Sequence, residues 1–306
     1  MLTYLFKRIL LFFPVLFAVA TLVFFLLRLI PGDPVDFILG ENALQTERQA
    51  LVSQQHFDDP LPQQYFYFLT QLAQGRLGKS YFSSQSVEQL IWQRYPATLF
   101  LAGTAILWAL VFAIPLGVFC SIKKGKFIDR VMAVFSVMGI SIPTFYLGPL
   151  LVLLFAIKLD WLPVSGRDLP GSFVLPSLTL GLAMAALLTR MTRASMIEVL
   201  SRDYLRTARA KGLSGGIVLI KHGLRTALLP VVAILALQLG TLLAGAVITE
   251  KVFSWPGIGS FMLEAISKRD YAVVQGCIMV IAITYVLVNL LADLLYTKLD
   301  PRIELK

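Results

Sequence analysis

The chain alternates between long apolar runs and short polar segments. A helix needs roughly 20 apolar residues to cross a bilayer, and six runs approach or exceed that: about 9–30, 97–122, 131–157, 174–188, 227–253 and 273–295. The fourth is the shortest, but it can extend to Met191 or beyond, and Met196, Glu198, Val199 and Leu200 are expected to carry it into the cytosol. Lys7-Arg8 and Ala18-Val19-Ala20 give the first run the outline of a signal peptide. Apolar sequence nevertheless continues to Leu27, longer than a signal h-region, so a retained span is expected. Pro143 and Pro149 fall inside the third run and predict a kink there.

Between the first two runs lies a long polar insert, 31–96. It opens on Pro31-Gly32-Asp33-Pro34, which halts the first helix. Pro60-Leu61-Pro62 predicts a helix carrying Tyr65, Phe66, Leu69 and Leu72. Ser86-Val87-Glu88-Gln89 reads as a capping box ahead of Leu90 and Ile91. Two readings of the insert stand, a folded cap over a pore mouth and a docking surface for an external partner. Later, Ser254-Trp255-Pro256-Gly257-Ile258-Gly259 predicts a rigid turn, followed by a short amphipathic helix over 260–268.

Composition agrees with this pattern. Of 306 residues, 57% are hydrophobic and 15% charged, against roughly 25% charged in soluble domains. The expected fold class is an all-α polytopic membrane protein of about six transmembrane helices. Its expected parts are an N-terminal helix (1–30), an extracytoplasmic insert (31–96) and a core transmembrane domain (97–306). Cys120 and Cys277 both sit in apolar runs, so a disulfide framework is not indicated. Charge fixes the expected orientation. With the N-terminus in the cytosol, the inner segments hold 17 of the 27 cationic residues against five acids, while the outer ones hold 10 against 12. That bias predicts cytosolic termini.

Several chemistries lack their residues. Gly78-Lys79-Ser80 resembles the end of a phosphate-binding loop, but that pattern needs glycine where Ala73 stands. His56 and His222 are the two histidines, too few for a His-based metal site, and no G-x-S-x-G elbow occurs. The sequence thus indicates no enzyme, no catalytic residue, no metal site and no cofactor of its own. Arg28 and Glu250 fall near outer span ends, and Arg190, Arg193 and Asp293 near inner ends, where snorkelling or local pairing accounts for them. No charge falls at a span's middle, which argues against an ion-coupled secondary transporter.

One segment stands apart. Within the inner loop of about 196–226, Asp203-Tyr204-Leu205-Arg206-Thr207-Ala208-Arg209-Ala210-Lys211 predicts a short helix, with Asp203 as its cap and Gly212 ending it in a left-handed turn. Arg202, Arg206 and Arg209 share one face, and Ala208 and Gly212 give a neighbouring face little bulk. Positive-inside anchoring explains the charges but not the small face, which suits a groove on a partner.

This loop resembles the cytosolic signature of permease subunits of binding-protein-dependent ABC importers. Ala208 and Gly212 fall on matching positions of the general Glu-Ala-Ala…Gly signature; Arg206 and Thr207 depart from it. With Lys221-His222-Gly223-Leu224-Arg225, the departures resemble the dipeptide/oligopeptide/nickel/glutathione branch. So do Pro31-Gly32-Asp33-Pro34, Thr192-Arg193-Ala194-Ser195-Met196, the segment from Glu250 to Gly259, Arg269-Asp270-Tyr271 and Asp300-Pro301-Arg302. The resemblance implies a transmembrane subunit forming half of a translocation pathway. Di- or oligopeptides are the first expected cargo, with nickel complexes or glutathione as alternatives. It implies ATPase coupling through Asp203, Arg206, Thr207, Ala208, Arg209, Lys211 and Gly212, and binding-protein docking at Trp255, Pro256, Gly257 and Gly259. Implied partners are a second similar permease, two cytosolic ATPases that hold ATP and magnesium, and an extracytoplasmic binding protein, in a bacterial inner membrane. A secondary transporter and a membrane enzyme are the rival classes.

Overall fold

A computed structural model describes residues 2–29, 34–40, 44–55, 57–83 and 85–299. Pro31-Gly32-Asp33, His56 and Asp300-Pro301-Arg302 lie outside them. The described residues form α1 (Leu2–Arg28), α2 (Pro34–Leu39), α3 (Gln45–Gln55), α4 (Leu61–Ala73), α5 (Val87–Ile122), α6 (Phe127–Ser141) and α7 (Thr144–Leu151). These are followed by α8 (Val174–Leu200), α9 (Asp203–Ala210), α10 (Gly215–Ile217), α11 (Arg225–Val252), α12 (Ile258–Lys268) and α13 (Tyr271–Leu299). π-Helical turns Val152–Lys158 and Val218–Leu224 continue α7 and α10. Among the described residues the only extended pairing is an antiparallel bridge between Lys79 and Ser86.

Among the described residues, five helical stretches are long and apolar enough to cross a membrane: Leu10–Arg28, Val87–Ile122, Val174–Leu200, Gly215–Val252 and Tyr271–Leu294. The expected third span, 131–157, is not one helix but the pair α6 and α7. Ile142 precedes a proline and is pushed to extended backbone (φ −82°, ψ 118°), which breaks the helix there. Pro149 then removes an amide donor from α7, and a wider π turn follows. The fourth run extends past 188 as expected, and α8 continues through its polar end to Leu200.

The chain divides into two compact units, Met1–Ala97 with Pro256–Val286, and Thr98–Trp255 with Leu287–Lys306. In the first, Val23, Leu27, Val87, Ile91, Ile258, Val273 and Cys277 share one core. Gly276 permits close packing, since a Cβ there would meet Val87 Cγ1 at 2.5 Å. Ser86 Oγ accepts from the Gln89 N–H at 3.5 Å, the first half of the expected capping box, while Glu88 instead accepts from the Leu77 N–H.

In the second unit α8 is central, with Leu175, Ser177, Thr179, Leu188, Thr192 and Met196 fully enclosed. Small residues let its neighbours approach. A Cβ on Gly117 would lie 2.5 Å from Thr192 Cβ, and one on Gly181 2.7 Å from the Ala105 carbonyl. Such contacts hold membrane helices together where burial from water offers no drive.

Candidate functional site

The polar loop after α8 folds into α9, and one apolar side chain seats it. Leu205 is fully buried among Met196 and Val199 of α8, Val218 of the π turn and Ala227 of α11. A Cβ placed on Gly223 would stand 3.9 Å from it, an ordinary packing distance, so Gly223 also borders this pocket. The Tyr204 hydroxyl adds a bond to the His222 carbonyl at 3.3 Å. Burying a leucine contributes about 1.5–3 kcal/mol, which outweighs the weak surface ion pairs nearby.

Asp203 does not cap the helix. Arg202 is the N-cap residue, with no side-chain cap bond, and Asp203 occupies the first helical turn. There its charge suits the helix dipole and lies 3.6 Å from Arg206. The small face is also divided. Ala208 turns partly inward against the Leu205 cluster, leaving Arg206, Thr207, Arg209, Ala210 and Lys211 exposed. Gly212 has φ +81° and open space where a Cβ would be. Its N–H bonds the Arg209 carbonyl at 3.0 Å, and the Leu213 N–H bonds that of Ala208 at 3.4 Å. This is the paired-bond helix ending that requires left-handed backbone.

Two further ends close the same way on residues other than glycine. At Ser254 (φ 49°) the Trp255 N–H returns to the Glu250 carbonyl at 2.8 Å; at Arg269 (φ 57°) the Asp270 N–H returns to that of Ala265 at 2.9 Å. The segment from Glu250 to Gly259 is thus largely structural. Glu250 is buried and accepts from the Thr98 hydroxyl at 2.6 Å, while Trp255, Gly257 and Gly259 are buried and Ser254 and Pro256 exposed. Arg269-Asp270-Tyr271 likewise makes the α12–α13 corner. Asp270 caps α13 through the Val273 N–H and accepts from Ser80 Oγ at 2.6 Å. Ser80 therefore belongs to a structural contact and not to a phosphate loop. Burial pushes the Asp270 carboxyl upward, against the pull of those donors.

Sequence reasoning missed one charged pair. Arg193 on α8 grips Asp129 on α6 through two bonds of 2.5 and 2.7 Å, and the Gly125 N–H adds a third at 2.9 Å. The Arg193 hydrogen bond holds the buried Asp129 carboxyl down to about 2. Such a two-pronged grip fixes the angle between two helices as well as their contact. Among the described residues no three His, Cys, Asp or Glu side chains come together as a metal site.

Comparison with known proteins agrees with this geometry. Residues 113–305 match the family model "Binding-protein-dependent transport system inner membrane component", and residues 1–102 match the model for its N-terminal region. The chain is 42% identical to the "Glutathione transport system permease protein GsiC" of Escherichia coli (strain K12) over the whole of both chains. It is 43% identical to the protein of that name from Salmonella choleraesuis, again over the whole of both. Among solved structures, the MetNI methionine ABC transporter in an inward-facing conformation gives TM-score 0.56 at 17% identity, over 70% of this chain and 97% of that one. That likeness concerns the fold. The chain belongs to the inner-membrane component family of binding-protein-dependent transport systems, as a multi-pass permease subunit of an ABC importer.

Proposed function

We propose that this subunit forms half of the translocation pathway for short peptides, glutathione among them. The observation that carries the reading is the 42% identity, end to end, with a glutathione permease. It favours the glutathione alternative without removing other peptides or nickel complexes, because selection in such systems lies largely with the binding protein. Both termini and α9 lie in the cytosol, as the lysine and arginine bias favours. The parts divide as helix 1–30, external insert 31–96 and pore domain 97–306.

In this reading α9 is the coupling helix. Arg206, Arg209 and Lys211 approach an ATPase subunit, and the Gly212 turn keeps the helix end low enough to enter a groove. Leu205 and Tyr204 transmit the push to α8 and α11. Asp203, Thr207 and Ala208 shape the helix. ATP and magnesium act in two partner ATPases, and a second similar permease completes the pathway. On the other face, Trp255, Gly257 and Gly259 hold the loop that presents Ser254 and Pro256 to an extracytoplasmic binding protein.

The test is uptake by the complete importer in proteoliposomes with ion gradients collapsed. Labelled glutathione, a dipeptide, an oligopeptide and a nickel complex are supplied in turn with the binding protein. ATP-dependent accumulation of glutathione or another peptide is expected. Uptake that follows an ion gradient without ATP, or that accepts only the nickel complex, contradicts the proposal.

A further inference from the structure

The insert that follows α1 does not stand clear of the apolar zone that α1 crosses. Helix α4 folds back along α1. The Tyr65 hydroxyl pairs with the Thr21 hydroxyl at 2.6 Å, and the Tyr65 ring packs on Phe24 and Phe25 with centroids 5.1 and 5.6 Å apart. Phe68 lies 5.5 Å from Phe24, and Gln64 accepts two bonds from the Arg28 guanidinium. Thr21 sits seven residues before Arg28, which at 1.5 Å per residue is about 10 Å along the helix. Nothing between Leu61 and Gly75 is charged, whereas Asp58-Asp59 and Arg76 bound the stretch.

Away from α1, α4 is open and mostly apolar, with Gln63 the exposed polar side chain among large apolar ones. Leu61, Phe66 and Tyr67 are 52%, 71% and 51% exposed. On α1, Leu22, Phe25 and Leu26 are also exposed, and Phe25 packs against Tyr65, the neighbour of Phe66 in α4. A cavity of about 740 Å³ beside α4 carries Arg28, Arg76 and Lys79 on its wall, cations at the end where α1 leaves the apolar zone.

From this we propose that α4 is an interfacial helix buried in the bilayer leaflet at the Arg28 end of α1. Phe66 and Leu61 face acyl chains, Tyr67 lies at the headgroup boundary, and the three cations lie at the level of lipid phosphates. An uncharged helix with aromatic residues suits that depth, about 5–10 Å below the headgroups. Lipid is the occupant because α4 packs through Tyr65 and Phe68 on Thr21, Phe24 and Phe25 of a helix apolar enough to cross a membrane, and its own exposed side chains beside them are large and apolar. Water there would leave three large apolar side chains in contact with solvent.

The test places nitroxide spin labels at Phe66→Cys, Leu22→Cys and Gln85→Cys, one at a time, in the complete importer in phospholipid vesicles. Native Cys120 and Cys277 are buried and do not compete. Collision with oxygen, which concentrates in lipid, is compared with collision with a water-soluble nickel chelate. Position 66 is expected to match position 22, with an oxygen-to-nickel ratio several-fold above that of the exposed position 85. A ratio like that of position 85 would put α4 in water. Low collision with both reagents would mean that a protein partner covers it. Either result overturns the proposal.

Discussion

Two buried aspartates of similar exposure should answer differently to the loss of their charge. Asp129 is gripped by a guanidinium, whereas Asp270 is held by a hydroxyl and backbone N–H groups and sits where burial disfavours its charge. Removing one partner of a buried pair costs about 3–5 kcal/mol, and less where the other partner is partly solvated, as Arg193 is. Asp129→Asn should therefore lower the thermal midpoint of the purified protein by several degrees, and Asp270→Asn should change it little. The pH response has a definite sign. The Asp129 carboxyl is depressed in the folded state, so its contribution is complete above about pH 4 and lost as pH falls toward 2. Wild type should lose stability across that window and Asp129→Asn should lose less, in thermal melts between pH 2 and 5. Neither aspartate's partner is legible in the sequence. Asp129 and Arg193 are 64 residues apart, and only the packing of α6 on α8 joins them.

The elements show which sequence signals carry structure. Periodicity and capping chemistry located α4, α12 and the Gly212 turn, because each is encoded within a dozen residues. Pro143 announced the interruption at α6–α7, though pre-proline sterics make it a full break and not only a kink, and the polar end of α8 continues the helix to Leu200 as its sequence suggests. Leu205 was legible in principle, being the one large aliphatic residue in an otherwise polar helix, but its pocket is built by α8, Val218 and Ala227 of α11. Leu205→Ala should cost about 2–5 kcal/mol locally. Hydrogen exchange should then show amides of α9 losing at least tenfold protection, while those of α12 and α13 keep theirs. Gly117→Val should fail differently, since its added carbons meet Thr192 and the Thr189 carbonyl inside the helix packing. Reduced yield of folded, membrane-inserted protein is expected there, read by size exclusion in detergent.

At the scale of the whole molecule, membership in the family came through in the sequence because several motifs in order carry it. Some of those motifs form corners of the fold, at Ser254 and Arg269. Orientation rests on charge. A membrane-impermeant thiol reagent should label Gln85→Cys in intact cells and Ser214→Cys only after permeabilisation; the reverse would invert the molecule. The central claim is that α9 couples ATP hydrolysis to transport, and Gly212 tests it most directly. A β-branched residue at φ +81° meets strain of about 1–3 kcal/mol, equivalent to roughly 5- to 150-fold in a docking equilibrium. Asparagine tolerates left-handed backbone. The decisive measurement is ATPase activity of the reconstituted importer with and without loaded binding protein. Stimulation should fall at least about fivefold in Gly212→Val, together with transport, and stay near wild type in Gly212→Asn. Undiminished stimulation in Gly212→Val would reduce the loop to a charged topology anchor and contradict the account.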